Sequence, residues 1–458
     1  FVGTTTDVNG SYSLDVDGSQ TVLVAYIGYK TQELATSGGA GNFSMEADVL
    51  RQDEVVVTGL VSTVKRRNAA NAVASVSGDD LVNAPTQTLD QALSGQFAGV
   101  NIRRNTGAPG GGTNVNLRGQ STLTGSTQPL YVIDGIIVNN DANQSGVDVV
   151  TAATGAGSSR PQGQPTNRIG DINPNDVESI EVLKGASAAA IYGAKASNGV
   201  VIINTKRGKG GETKFNFSTK TGSSELLRKM GHRVFADYAE AEAQYGADVA
   251  ALGNDASGNW AGNDFDYEEI LYGETGQLTE HTISAIGGDE KTQFYLGGQY
   301  MDEGGIIKNT GYKKLSGRVN VDHRLSEKAK VSISTNLVRS ESDRGVTGND
   351  NTNMTYGFSI GFTPSFIDIQ QNDDGSFPIH PLNPSNPLET AEYFVNNELT
   401  HRAMGSLRLD YNLFKADNMN LDFLAIAGAD FYNQENQVFI PPFLQIESAK
   451  DEAGQSVM

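Results

Sequence analysis

The sequence predicts a mainly β chain in three successive parts: a small β unit, a mixed α/β unit, and strands of a large antiparallel β-barrel. Three observations carry that prediction. Gly is heavily used and Pro is not, 53 against 13 in 458 residues, as a chain of turns and strands requires. Beyond residue 212, segments of alternating apolar and polar residues recur, each roughly ten residues long. The connections between those segments are short and long in turn.

Composition narrows the function. The length exceeds one ordinary domain and fits two to four units. Asp plus Glu number 54 against 34 Lys plus Arg, a net charge of −20. That balance argues against a nucleic-acid binder, which needs a basic face. There is no Cys, so disulfides and thiolate metal sites are excluded. No run of 18 or more apolar residues occurs, hence no transmembrane helix, but a barrel crosses lipid on alternating strands. The chain opens at Phe1 with neither Met nor a signal-type stretch, which reads as a mature or cropped sequence.

Residues 1–50 read as the small β unit. A turn at Asp7–Gly10 precedes Tyr12, Leu14 and Val16, which alternate with polar residues. TVLVAYIGY (21–29) and NFSMEA (42–47) are two further strands. DVNG and DVDG lack the spacing and closing Glu of a calcium loop and read as turns. Residues 51–70 form a linker around one strand-prone block, DEVVVTG (53–59). Three adjacent β-branched residues favour an extended strand. No obvious hairpin partner follows, so the block is either a buried strand or one held out for another protein.

Residues 71–211 read as mixed α/β. A strand is expected at 73–77 and a helix near 88–97, capped by Thr88 or Asp90 and ended by Gly99. VNIRRN and TNVNLRG are short strands flanking GAPGGG. PLYVIDGIIVNN (129–140) is a hairpin turning at Asp134-Gly135. A strand at 178–183, a short Ala-rich helix and a strand within 198–209 complete the unit. Residues 141–168 form a Gly/Ser/Gln/Asn-rich loop long enough to be functional or disordered.

Residues 212–458 hold about seven alternating strands. Phe215, Phe217 and Thr219 oppose Lys214, Asn216, Ser218 and Lys220; Leu315, Val319 and Val321 oppose Ser316, Arg318, Asn320 and Asp322. Val331, Ile333 and Leu337 oppose Ser332, Ser334 and Asn336, and Leu407, Leu409, Tyr411 and Leu413 oppose Ser406, Arg408, Asp410 and Asn412. A soluble sheet with one wet face would also alternate. Three features favour the barrel: charges at mid-strand, as in a wet lumen; loop lengths that alternate, with long loops at 222–277 and 341–397; and aromatics near strand ends (Tyr295, Tyr300, Tyr312, Phe414, Phe431, Tyr432), as in a girdle. Seven strands do not close a plugged barrel of about 22, so most of the barrel is expected outside this sequence.

Catalytic chemistry finds no support. The Gly-rich stretches do not match a P-loop, the five His are scattered without metal-ligand spacing, and no nucleophile elbow accompanies a His. No catalytic residue, metal or cofactor is assigned, and the chain is not read as an enzyme.

The order of a small β domain, DEVVVTG, a mixed α/β unit and barrel strands resembles the TonB-dependent outer-membrane transporters, specifically the SusC/RagA group. DEVVVTG looks like a TonB box. LDQALSGQFAGVNIRRNTGAPGGGTNVNLRGQSTLTGSTQPLYVIDGIIVNN (89–140) and INPNDVESIEVLKGASAAAIYGAKASNGVVIINTKRGK (172–209) look like that group's plug domain. Residues 1–50 resemble a carboxypeptidase-regulatory-like β-sandwich. Gly185 stands where the group often has Asp, and Leu60-Val61 where Tyr-Gly usually follows the box.

The resemblance implies the rest. The chain would sit in the outer membrane of a Gram-negative bacterium and import oligosaccharides or peptides, with TonB, a SusD-like surface lipoprotein and outer-membrane lipid as partners. Asp53, Glu54, Val55, Val56, Val57 and Thr58 would bind TonB by β-augmentation, with Gly59 turning the chain away. Arg118 and Asp134 would form a buried pair that holds the plug together. Substrate contacts would come from loops 119–128 and 141–168, with Gln120, Ser121, Thr122, Gln128, Asn140, Asn143 and Gln144 as hydrogen-bonding candidates. The alternatives are a siderophore or cobalamin receptor of the same architecture, or a non-transporting barrel scaffold.

Overall fold

Strand pairing, not helix packing, organises the chain. The computed structural model describes residues 4, 14, 21–24, 32–35, 55–57, 63–65, 73–78, 81, 89–104, 107–117, 119, 127–140, 167–184, 192–347, 355–416 and 419–445. The chain divides into two units, Phe1–Val73 and Ala74–Met458.

In the first unit, β1 (Thr21–Val24) pairs antiparallel with β2 (Gln32–Ala35). The turn at 7–10 and the strand at 42–47 lie outside the described residues. β3 (Val55–Val57) pairs antiparallel with β4 (Thr63–Lys65), Val56 facing Val64. The VVV block thus has a local hairpin partner, contrary to the sequence expectation. Thr63 and Val64 are themselves β-branched, and the five-residue connection contains Gly59, the residue such a hairpin loop favours.

The second unit begins at the strand β5 (Val73–Ser77) and continues through the short helix α1 (Leu89–Ala92), β6 (Val100–Arg104), β7 (Thr113–Leu117), β8 (Leu130–Ile133), β9 (Ile136–Val138), β10 (Val177–Leu183) and β11 (Val200–Thr205). Five of these form one sheet in the order β5-β10-β11-β8-β9, with β11 parallel to β8 and the other described pairings antiparallel. β6 and β7 make a separate hairpin. The helix stops at Ala92, short of the expected 97, because Gly95 takes a left-handed φ of 79°. The Ala-rich helix expected after 183 falls on residues outside the description. Asp134 and Gly135 both have positive φ, 47° and 86°, the twist that closes a two-residue hairpin between β8 and β9. Leu81, Leu89, Phe97, Val115, Tyr131, Ile133, Ile169, Ile172, Ile180, Val182, Val201 and Ile203 pack into one core.

Seven long strands follow: β12 (Gly211–Ser224), β13 (Gly276–Gly288), β14 (Thr292–Gly304), β15 (Gly311–Arg324), β16 (Ala329–Asp343), β17 (Val395–Ala416) and β18 (Met419–Phe439). Each pairs antiparallel with the next in an unbroken meander. They run 13 to 22 residues, longer than the expected ten. The outer face carries Phe215, Phe217, Ile283, Leu296, Val319, Ile333, Leu337, Leu407 and Phe431, all exposed. Along one border of this apolar band, Phe217, His281 and Tyr300 stack ring on ring at 6.4 and 6.5 Å. Tyr300, Phe414 and Phe431 sit outward as a girdle requires, but Tyr295 and Tyr312 are buried on the inner face. Tyr432 also points inward, since it lies opposite the inward Arg402. Spacing alone could not separate the faces of these three.

Short turns close one end of the meander. At the other end, 51-residue connections occupy 225–275 and 344–394. These fold on themselves through α2 (Tyr238–Tyr245), α3 (Ala247–Ala250), α4 (Tyr267–Tyr272), α5 (Tyr356–Gly361) and α6 (Pro387–Tyr393). Asp237 and Asp266 cap α2 and α4 by accepting the amides of Glu240 and Glu269 at 2.9 and 3.0 Å. Phe235, Tyr267, Phe366, Ile367 and Ile369 join the two connections in a shared core.

Candidate functional site

The inner face of the meander meets the mixed α/β part in a buried interface rich in charged and polar side chains. Two clusters of charge build it. The first surrounds the β8–β9 turn. Asp134 accepts from the Thr205 amide at 3.0 Å and the Thr205 hydroxyl at 2.7 Å. Its carboxylate also lies 2.8 Å from the Ser334 hydroxyl and 3.6 Å from the Arg318 guanidinium. Arg318, 2% exposed on β15, lies 3.5 Å from Asp176 as well, so one cation is shared by two carboxylates. Tyr295 donates to Asp176 at 2.7 Å. Burial pushes the Asp176 carboxyl above its ordinary range, against the opposing pull of Arg318 and of the Tyr295 hydrogen bond. Asn320 donates to the Thr205 hydroxyl and the Lys206 carbonyl, and Arg207 pairs with Asp322 at 3.0 Å.

The second cluster holds the turn Arg168–Asp171, a single turn of 3-10 helix between β9 and β10. Arg168 pairs with Glu398 at 3.2 Å, and Glu398 with Arg344 at 2.9 Å. Asp171 pairs with Arg402 at 3.0 Å, and Arg402 with Asp430 at 2.7 Å. Arg402 also donates to the carbonyls of Arg168 and Asn139. Lys314 donates to the Gly170 carbonyl at 3.2 Å. Every side chain in these ion pairs is under 8% exposed.

Glycines bring the two surfaces close. A Cβ on Gly428 would stand 2.5 Å from Ile136, one on Gly297 2.4 Å from Asp176, and one on Gly110 2.2 Å from the Tyr312 ring. Glycine at these points lets the two surfaces approach within contact. A small cavity, about 10 Å³, is lined by Ile133, Ile136, Val138 and Met404 together with Asp134, Arg318, Ser334 and Asn336, room for about one water.

Of the residues singled out in the sequence, Asp134 lies at the centre of the interface. Its described cation partners are Arg318 across the interface at 3.6 Å and Arg207 at 4.0 Å, and the Arg118 side chain lies outside the described residues. Gln128 and Asn140 meet: the Asn140 amide donates to Gln128 at 3.2 Å and its oxygen accepts the Ile169 amide at 2.8 Å. Asn140 is buried, so its amide braces the turn at 168–171 instead of standing free toward a substrate. Gln120, Ser121, Thr122, Asn143 and Gln144 lie outside the described residues, as do Asp53, Glu54 and Thr58. Val55, Val56 and Val57 form β3, whose described partner β4 covers one edge of a two-stranded ribbon. The barrel-side partners Arg318, Asn320, Asp322, Glu398, Arg402 and Asp430 were not singled out individually. Their signal was present as charge at mid-strand, where a wet lumen was expected; the structure buries that charge instead.

The TonB-dependent Receptor Plug Domain model matches residues 65–200. The chain is 30% identical over 421 residues to TonB-dependent receptor P26 of Formosa agariphila, covering 90% of this chain and 38% of that one. It is 27% identical over 469 residues to TonB-dependent receptor SusC of Bacteroides thetaiotaomicron, covering 96% and 43%. Among solved structures, the RagAB peptide importer in its open-open state matches with a TM-score of 0.64 and 24% identity, covering 84% of this chain and 43% of that one; this likeness concerns the fold. The chain therefore spans about two fifths of the length of these relatives. These relatives are receptors and transporters, not enzymes. The α/β part is the plug, the seven-stranded meander is barrel wall, and the chain belongs to the TonB-dependent receptors, in their SusC-like group.

Proposed function

We propose that the whole protein imports peptides or oligosaccharides across the outer membrane of a Gram-negative bacterium, driven by TonB and assisted by a SusD-like surface lipoprotein. The observation that carries the reading is the polar seat of the plug. An apolar interface of this extent would hold the plug as a domain core does, whereas ion pairs and hydrogen bonds exchange for water at little net cost. A plug that must yield and return is served by the second kind. The names of the relatives support a TonB-dependent receptor, and the name of the RagAB peptide importer supports import, with peptides as one substrate class.

The VVV strand supports the link to TonB. Among the described residues β3 pairs on one edge only, with β4, and an incoming strand pairs with an open edge through its backbone. Val56→Pro removes a backbone donor there and is expected to abolish TonB binding, measured with the purified TonB C-terminal domain. Unchanged binding removes the TonB-box assignment. The import reading is tested by purifying the full-length protein from native outer membranes and identifying by mass spectrometry what accompanies it. A surface lipoprotein together with a peptide mixture or a hexose ladder is the expected result. Recovery alone, or with ferric chelates, overturns it in favour of a scaffold or a siderophore receptor.

A further inference from the structure

The second cluster has a charge arrangement that the first lacks. Among the described residues, three guanidiniums (Arg168, Arg344, Arg402) lie within ion-pair distance of three carboxylates (Asp171, Glu398, Asp430). The plug contributes one of each, Arg168 and Asp171, 3.8 Å apart within the same turn. The barrel contributes two of each, already matched: Arg344 with Glu398 at 2.9 Å, and Arg402 with Asp430 at 2.7 Å. If the plug turn withdraws, each of these six groups keeps a partner on its own side, while Lys314 gives up the Gly170 carbonyl. Breaking a buried pair one-sidedly is expensive chiefly because it strands a charge, and none of these six charges is stranded.

Arg344 adds a second feature. It is the first residue after β16, at the root of the 344–394 connection, and its amide donates to the Asn396 carbonyl at the foot of β17. Its guanidinium shares Glu398 with Arg168, Arg344 taking Oε2 and Arg168 taking Oε1. Two like charges on one carboxylate repel each other and divide its attraction. Arg344 therefore weakens the grip of Glu398 on the plug while giving Glu398 a partner when the plug leaves.

We propose that the Arg168–Asp171 turn is a partner-exchanging latch, and that the root of the outer loop sets its strength through Glu398. Pressing Arg344 onto Glu398 loosens the plug turn; drawing Arg344 away tightens it. Arg344 is a positioning residue in this scheme, with the outer loop and the plug as the two coupled elements. The proposal rests on the import reading only in supposing that the plug moves.

The test is amide hydrogen exchange on the full-length protein in detergent, following peptides that span 168–176. Arg344→Met is expected to slow exchange there by about threefold to tenfold, within the lower part of the range of coupling between residues in one network. Arg344→Lys, which restores the charge, is expected to return exchange to the starting rate. Peptides from β15 report whether the barrel itself has changed. If Arg344 merely stabilises the interface, Arg344→Met instead speeds exchange at 168–176 or leaves it unchanged, and either result overturns the latch. The readout needs neither substrate nor TonB. Failure of the import reading would appear in the purification experiment and leave the sign of this one intact.

Discussion

Individual glycines of the plug do different work, although the sequence writes them alike. GAPGGG offers four glycines in six residues. Gly110 has a left-handed φ of 62°, and a Cβ there would stand 2.2 Å from the ring of Tyr312. Gly107 has an ordinary φ, and a Cβ there would meet nothing within 4 Å. Gly110→Ala must therefore displace either the hairpin tip or a buried aromatic ring, besides carrying backbone strain, and is expected to cost about 2–4 kcal/mol. Gly107→Ala is expected to be neutral or slightly stabilising. Calorimetric melting of the two full-length variants separates them; equal midpoints would show that the Gly110–Tyr312 contact does not bear on stability.

At the scale of elements, the outer connections are folded bodies with their own chemistry. Within 344–394, His380 is 4% exposed, and burial holds its imidazole down, at a pKa of about 4. The hydrogen bonds agree with that direction. Nδ1 accepts the amides of Leu382 and Asn383 at 3.1 and 3.0 Å, and Nε2 lies 2.8 Å from the Thr363 hydroxyl. The Thr363 hydroxyl donates onward to the Ser359 carbonyl, so Nε2 carries the ring proton and Nδ1 is the acceptor. A proton on Nδ1 would break both backbone bonds. The unfolded chain, with an ordinary His near 6.5, binds more protons than the folded loop between pH 6.5 and about 4. Loop stability is thus complete above about pH 6.5 and falls as pH drops toward 4, by up to roughly 3 kcal/mol. Limited proteolysis between pH 7 and 4.5 with an acid-tolerant protease is expected to open this loop first, and H380Q is expected to flatten the dependence.

The elements were legible where local rules decide them. Asp134-Gly135 announced its hairpin because only that turn type accepts two positive φ angles in succession. The alternation of Leu315, Val319 and Val321 with Ser316, Arg318 and Asn320 announced a two-faced strand because side chains alternate across a pleat. Alternation does not say what covers the polar face. Arg318 and Asn320 read as lumen-facing and wet, yet each is buried under the plug by residues more than 100 positions away in sequence. The VVV block read as partnerless because Thr63–Lys65 is too short to stand out as a strand on its own. Tyr295 and Tyr312 fit a girdle by position and occupy the interior by parity, which strand boundaries set wrong by one residue would reverse.

For the whole molecule, the question is what the ionic seat contributes beyond holding the plug. Arg318 bridges Asp134 and Asp176 from a site that is 2% exposed. Arg318→Met alone takes the nearer guanidinium from Asp134, which keeps Arg207 at 4.0 Å, and the ion-pair partner from Asp176, and is expected to cost about 3–5 kcal/mol, with loss of plug seating. Asp134→Asn and Asp176→Asn added to Arg318→Met remove the stranded charge. The carboxamide that Asp134→Asn introduces still offers an oxygen to the Thr205 amide, and apolar or neutral replacements of buried ionic groups are often neutral or stabilising. The triple variant is therefore expected to melt at or above the temperature of the unaltered protein. If the seat serves release, that gain comes with slower uptake, since a neutral, better-packed contact gives the plug less reason to exchange its partners for water. Melting and uptake measured on the same three preparations decide the matter. A triple variant that is stable and transports at the original rate would mean that the charges specify how the plug docks and have no part in letting it go.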